Sequence, residues 1–326
     1  MRAVVAVIIV AGAACAPDVV EPPPVVAGEG GQWELLTALP STRQEHAVAA
    51  FAGEVVMIGG FDETTVVAAV DAYDPASSTW RALPALPLPL HHANAATVVG
   101  AAGPRLVVGG FLLGADFRDD PRTFVFDGST WTAGAPHPVG QGRGASGVCA
   151  LDDAVYVFGG TTAGGSSDLA SRYLVDDDVW ESLPPLPRKL DHLGCGAFDG
   201  AVWIVSGRED GITNHVGTLL RYAPATRAYE ERASMPTSRG GAAVAVVGDA
   251  LYVVGGEGNV DDDSGVFAAA ERYLFAEDRW EAVVDMRTPR HGLGAAAVDG
   301  ALYTPGGATV QAFGAVDVNE RFVPGP

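Results

Sequence analysis

The 326-residue sequence predicts an all-β protein built from six equivalent four-stranded units, and three observations carry that prediction. Apolar runs ending in paired glycine recur at Val55–Gly60, Leu106–Gly110, Val155–Gly160, Leu251–Gly256 and Leu302–Gly307; a sixth, Val202–Gly207, has lost one glycine. Each run is followed by an aromatic residue (Tyr73, Phe126, Tyr173, Tyr222, Tyr273, Phe322). A second aromatic usually comes seven residues later (Trp80, Trp180, Tyr229, Trp280), with Trp131 slightly closer to Phe126. The period is roughly fifty residues, the length of one blade in a propeller of repeated sheets.

Taken in order, the chain begins with Met1-Arg2, the apolar run Ala3–Ala14 and Cys15. This pattern predicts a secretory signal over 1–15, too short to cross a bilayer as a helix, which takes about 20 apolar residues. Cys15 behind small residues resembles a bacterial lipobox, although Gly12 stands where that pattern prefers leucine; lipidation of Cys15 is expected, with ordinary cleavage nearby as the alternative. Residues 16–31, with Pro22-Pro23-Pro24 and Gly30-Gly31, form a Pro/Gly-rich tether that cannot build a core. The expected location is the cell envelope, membrane-anchored if Cys15 is modified and otherwise periplasmic or secreted.

Residues 32–326 hold the repeats. Each unit opens with a small-residue run (His46–Phe51, Gly147–Leu151, Gly194–Phe198, Ala242–Val247, Gly294–Val298) that turns back into the strand ending in glycine, as Asp199-Gly200 and Asp299-Gly300 signal. The Tyr and Trp strands follow, paired across short polar turns such as Asp74-Pro75, which puts their rings on one sheet face. Small first-strand residues suit six strands crowding around one axis. Trp33–Leu36 precedes the first glycine pair as an orphan Trp strand, and the last unit stops after its Tyr-type strand. The N-terminal strand is therefore expected to complete the sixth blade and close the ring.

Paired glycine, then Tyr, then Trp, six times over, resembles the kelch repeat. The resemblance covers Trp33 to Phe322 and implies a six-bladed kelch β-propeller with four antiparallel strands per blade. Cys149 and Cys195 read as occupying the same position in neighbouring repeats, so parallel side chains packing as small hydrophobes are expected, with a disulfide, which an exported protein permits, as the alternative.

The loop before the first strand and the loop after the glycines leave a blade on the same face, which is where ligand-binding residues are expected. Arg43, Arg143, Lys189, Arg239 and Arg290 stand before the first strands, with Pro89 in that place in the second unit, and His46, His92 and His192 come three positions further on. They suggest a basic ring around the channel that attracts anions. The kelch resemblance leaves a packing role for the same residues open. Arg208 and Glu209 join the candidates from a post-glycine loop, in a set that includes Asp62-Glu63, Arg118-Asp119-Asp120 and Glu257–Asp263.

Forty acidic against 20 basic side chains, a net charge of -20, exclude a nucleic-acid binder; 48% hydrophobic and 18% charged residues exclude a disordered chain. Asp261-Asp262-Asp263 lacks the spacing and glycine of an EF-hand, and histidines from the first, second and fourth blades are not expected to converge on a metal. There is no Gly-x-Ser-x-Gly elbow and no His-Glu-x-x-His helix. Neither cysteine is placed for the Cys–Tyr cross-link of copper radical kelch oxidases. The expectation is a monomeric, exported, non-catalytic module without cofactor or metal, binding a protein, glycan or other polymer through the post-glycine face. The alternative is a sugar or sugar-acid mutarotase-like enzyme, since the periplasmic sialic acid mutarotase is similar in blade number and export. Its acid/base groups would come from Glu209, His192 and the arginines.

Overall fold

The structure, a computed structural model, describes residues 30–325. The expected signal, Cys15 and most of the expected tether lie outside them.

Six four-stranded antiparallel sheets account for the repeats, as the spacing predicts. Blade 3 is representative. Gly147–Leu151 is innermost, followed outward by Ala154–Phe158, Ala170–Leu174 and Val179–Ser182. The second strand is buried along its whole length, because its two faces meet the two neighbouring blades; this is why it reads as an unbroken apolar run. Tyr173 lies directly opposite Trp180 in the register, and the same Tyr–aromatic pairing joins Tyr73 to Trp80, Tyr222 to Tyr229 and Tyr273 to Trp280.

Closure is as the chain ends imply. Gly31–Leu35 forms the outermost strand of the sheet that contains Ala296–Val298, Ala301–Pro305 and Asn319–Pro324, with Trp33 opposite Phe322. The strand starts at Gly31, one residue inside the expected tether. The Trp33 indole is buried, its ring centroid is 5.2 Å from that of Phe322, and its Nε1 donates to Val284 O at 2.8 Å. The same bond recurs around the ring. The outermost aromatic of each blade donates to a carbonyl in the segment leaving the preceding blade: Trp80 to Thr37, Trp131 to Pro84, Trp180 to Ala135, Tyr229 to Pro184 and Trp280 to Ala233. Six hydrophobic clusters fill the six gaps between blades, so the core is a ring of interfaces rather than one centre.

Two expectations change. Cys149 and Cys195 form a disulfide, with Cα atoms 5.5 Å apart, inside the bonding range. They are not equivalent residues. Gly147 packs on Gly194, so Cys149 stands two places into its strand and Cys195 one. Side chains alternate across a strand, so that offset turns the two thiols toward each other across the gap between blades 3 and 4. In blade 2 the second strand runs on through Gly109-Gly110 to Leu113 and pairs with Arg118–Phe126, so Arg118-Asp119-Asp120 lies in a strand, not a loop. Among the described residues no helix is long and apolar enough to cross a membrane.

Candidate functional site at the propeller axis

The arginines do not form a ring around the channel. Arg43, Arg143, Arg239 and Arg290 are buried inside their own blades, under the end of the glycine strand. Arg143 donates to Gly159 O at 2.8 Å, Val157 O at 3.0 Å and Ser171 Oγ at 2.9 Å. Arg290 donates to Thr304 O at 3.0 Å and Glu320 Oε2 at 2.8 Å; Arg43 faces Asp71 and Arg239 faces Glu271. These guanidinium groups satisfy carbonyls where the sheet pairing ends, the packing role that the resemblance left open. Lys189 is exposed, and the residue equivalent to the arginines in its blade is Leu190: Leu190 O accepts from Gly160 N as Arg290 O accepts from Gly256 N. Leu90, not Pro89, holds that position in blade 2, accepting from Gly60 N. His46 is buried with a ring nitrogen 3.0 Å from Pro305 O, and burial followed by the nearby Arg43 pushes it down to about 3. Glu209 sits at the rim, paired with Arg188 at 3.2 Å.

The residues that reach the axis stand two places after the arginine position: Glu45, His92, Ala145, His192, Gly241 and Gly292. Their backbones close a ring of six hydrogen bonds, each N–H donating to the carbonyl of the preceding blade's residue at 2.7–3.1 Å. All six are left-handed, with φ between 50° and 58° as the turn into the first strand requires; individually Glu45 and His92 are at 50° and His192 at 53°. Two blades meet this demand with glycine, whereas Glu45, His92 and His192 hold the conformation with full side chains, a cost that recurs where function requires it. Gly292 is needed beside them, because a Cβ there would lie 2.5 Å from Glu45 Oε1.

These three side chains form the floor of a cavity of about 210 Å³ on the post-glycine face. His92 Nε2 is 3.0 Å from Glu45 Oε2. His192 Nδ1 donates to Asp191 Oδ1 at 2.6 Å, and Arg208 Nε donates to the same oxygen at 2.7 Å while Nη1 pairs with Glu257. His91 Nε2 donates to Gly114 O at 2.9 Å, so in neutral His91 Nδ1 accepts the Nδ1–H of His92 at 2.6 Å. Burial, then His92, pushes His91 down to about 4. Burial alone would raise Glu45, but His92, His192 and His291 around it hold its carboxyl well below the usual range. Asp191 is lowered by His192 and Arg208 against its own burial, and His192 is lowered by burial and Arg208. Phe61, Phe117, Ile212 and Phe313 form the apolar walls. Below the ring, the same three residues cap an axial channel lined by Val48, Ala95, Val148 and Val244.

Of the sequence candidates, then, His92, His192 and Arg208 meet at one point. Glu257 joins them from one of the post-glycine loops that the sequence singles out, while Glu45, Asp191 and His291 complete the group unforeseen, although the step of two from each arginine equivalent would have found Glu45.

The kelch motif matches residues 42–87, 142–187 and 238–287, which correspond to blades 1, 3 and 5. The chain is 29% identical to the Kelch-like protein terF of Aspergillus terreus, over 90% of this chain and 68% of that protein. It is 29% identical to Kelch-like protein 35 of Mus musculus, over 62% of this chain, and 26% identical to Kelch-like protein 34 of Homo sapiens, over 77%. It spans only 33% and 40% of those two relatives' lengths. With six four-stranded blades, the matched motifs and these kelch-like relatives, the protein is a six-bladed β-propeller of kelch repeats.

Proposed function

We propose that the protein is a recognition module that binds a polypeptide segment across the post-glycine face and takes one of its side chains into the axial cavity. The observation that carries this reading is the distribution of exposed apolar side chains. Phe117, Ile212, Val260, Val310 and Phe313, from blades 2, 4, 5 and 6, are exposed around that one mouth. Apolar patches on a rigid polar-rimmed scaffold mark partner surfaces. The cavity is smaller than the roughly 300–1,000 Å³ usual for pockets that enclose whole small ligands, which fits a single side chain with an apolar stem and a polar head. Export and anchoring through Cys15 belong to the same proposal and rest on residues 1–31.

Panning a phage library of random linear peptides tests this. Enriched peptides should bind the wild-type chain and lose at least about tenfold in affinity, roughly 1.4 kcal/mol, against Phe117→Ser/Phe313→Ser. Failure to enrich, or binding indifferent to that variant, rejects the reading. The paired Glu45–His92 and Asp191–His192 groups favour the second reading, acid/base chemistry on a sugar acid. Accelerated anomer exchange of a sugar acid in magnetisation-transfer NMR, lost in His192→Gln, would establish that instead.

A further inference from the structure

The floor of the cavity has more acceptors than donors, and the surplus has a defined shape. His192 spends its Nδ1–H on Asp191, which leaves the Nε2 lone pair toward the axis. His92 spends its Nδ1–H on His91, which is itself fixed by Gly114 O, so its Nε2 faces the axis 3.0 Å from Glu45 Oε2 and offers a lone pair there once a cation displaces the proton it shares with that carboxylate. His291 donates Nε2–H to Val310 O at 2.9 Å. Its Nδ1 is buried without a hydrogen-bond partner, 3.8 Å from Glu45 Oε1 and 3.6 Å from Glu257 Oε2. Glu45, His92 and His192 each offer one ligand atom, all within 4.8 Å of one another.

We infer that this floor binds a divalent first-row transition metal through His92 Nε2, His192 Nε2 and the Glu45 carboxylate, with His291 Nδ1 positioned beside them. Imidazole with one carboxylate is the ligand set of zinc, iron or nickel, and not of calcium or magnesium, which demand oxygen. Each imidazole has the hydrogen-bonded outer partner that orients metal-ligating histidines: the Asp191 carboxylate, the His91 ring and the Val310 carbonyl. Charge agrees. Three carboxylates (Glu45, Asp191, Glu257) against one guanidinium (Arg208) leave a formal surplus of two negative charges when the imidazoles are neutral, which one divalent cation matches. Arg208 is the opposing element, since its Nη2 lies 3.3 Å from His192 Nε2. That contact is the longest it makes here, and Asp191 and Glu257 hold the guanidinium without it. The left-handed backbone at Glu45, His92 and His192 fixes these residues on one ring of hydrogen bonds, the preorganisation a coordination site needs.

The test uses tag-free protein, stripped with chelator and titrated with zinc chloride by calorimetry, with bound metal counted by elemental mass spectrometry after desalting. One equivalent should bind per chain. His92→Ala/His192→Ala should abolish it, and Asp191→Asn, which leaves every ligand in place, should weaken it by about 10–100-fold. Circular dichroism and urea midpoints check that the variants are folded; if the double alanine variant is not, His192→Gln takes its place. Wild-type protein that retains no stoichiometric zinc overturns the inference, as does zinc retained equally by folded variants lacking these ligands. This inference does not depend on peptide binding, so either result leaves the peptide test to be judged separately.

Discussion

Replacing Arg290 with alanine should come close to unfolding the protein. The guanidinium is fully buried, 2.8 Å from Glu320 Oε2, whose side chain is only 1% exposed, and it also satisfies the carbonyls of Thr304 and Gly306. Removing one partner of such a pair leaves a buried charge uncompensated, at a cost of about 3–5 kcal/mol. Domains of this kind have about 5–15 kcal/mol in all. Arg43→Ala should cost less, because its contact with Asp71 is longer, at 3.4 Å, and Asp71 is more exposed, at 11%. The assay is urea denaturation followed by tryptophan fluorescence. The control is Arg290→Met with Glu320→Leu, which removes both charges and should recover most of the loss. An Arg290→Ala loss below about 1 kcal/mol, the value of an exposed pair, would refute the packing role and return the arginines to the ligand face. Arg43→Ala with Arg239→Ala, which arginines exposed in a ring around the channel would tolerate without loss of folding, should destabilise for the same reason.

Three further outcomes are expected. Trp180→Ala should cost about 3–5 kcal/mol, since the indole is 7% exposed and donates to Thr123 Oγ1 and Ala135 O; a negligible change in denaturation midpoint would contradict the ties between blades. Reducing Cys149–Cys195, which closes a loop of 46 residues, should lower stability by about 4 kcal/mol on the chain-entropy model. Alkylation of the unreduced, unfolded chain should then leave both cysteines unlabelled; labelling of both would show that the disulfide does not form. Burial, with Arg43 and Arg143 next in effect, holds His46 and His137 at about 3, against an ordinary value near 6.5. The unfolded chain takes up these protons below about pH 6.5 while the native state refuses them, so stability falls as the pH drops from there toward 3 and is untouched by them above it. His137→Gln should flatten that slope in urea midpoints measured at about pH 5 and about pH 7; an unchanged slope would show that His137 is not buried neutral.

The ring was legible in the sequence because its causes are local and repeated. A second strand packed on both faces must be apolar throughout, as Ala154–Phe158 is, and an aromatic pair must recur wherever Tyr173 and Trp180 face one another across a turn. The site was less legible because one residue of register decides it. Matching Lys189 and Pro89 to the arginines, instead of Leu190 and Leu90, groups His92 and His192 with the buried His46 and hides Glu45. Side chains near the axis point alternately into the blade and into the channel, so a slip of one exchanges packing residues for ligand residues. The same slip concealed the disulfide: Cys149 and Cys195 look equivalent until Gly147 is set against Gly194. His291 and Glu257 come from different blades, and His291 meets both Glu257 and Glu45 only after closure, which no short motif records.

Hydrogen–deuterium exchange of the protein with a peptide selected from the library tests recognition at the axis most directly. Protection should fall on 111–118, 208–216, 257–266 and 308–316, the segments that follow the glycines and carry Phe117, Ile212, Val260 and Phe313. Protection confined to the hairpins at 52–53, 152–153, 199–200 and 299–300, on the opposite face, would contradict the account.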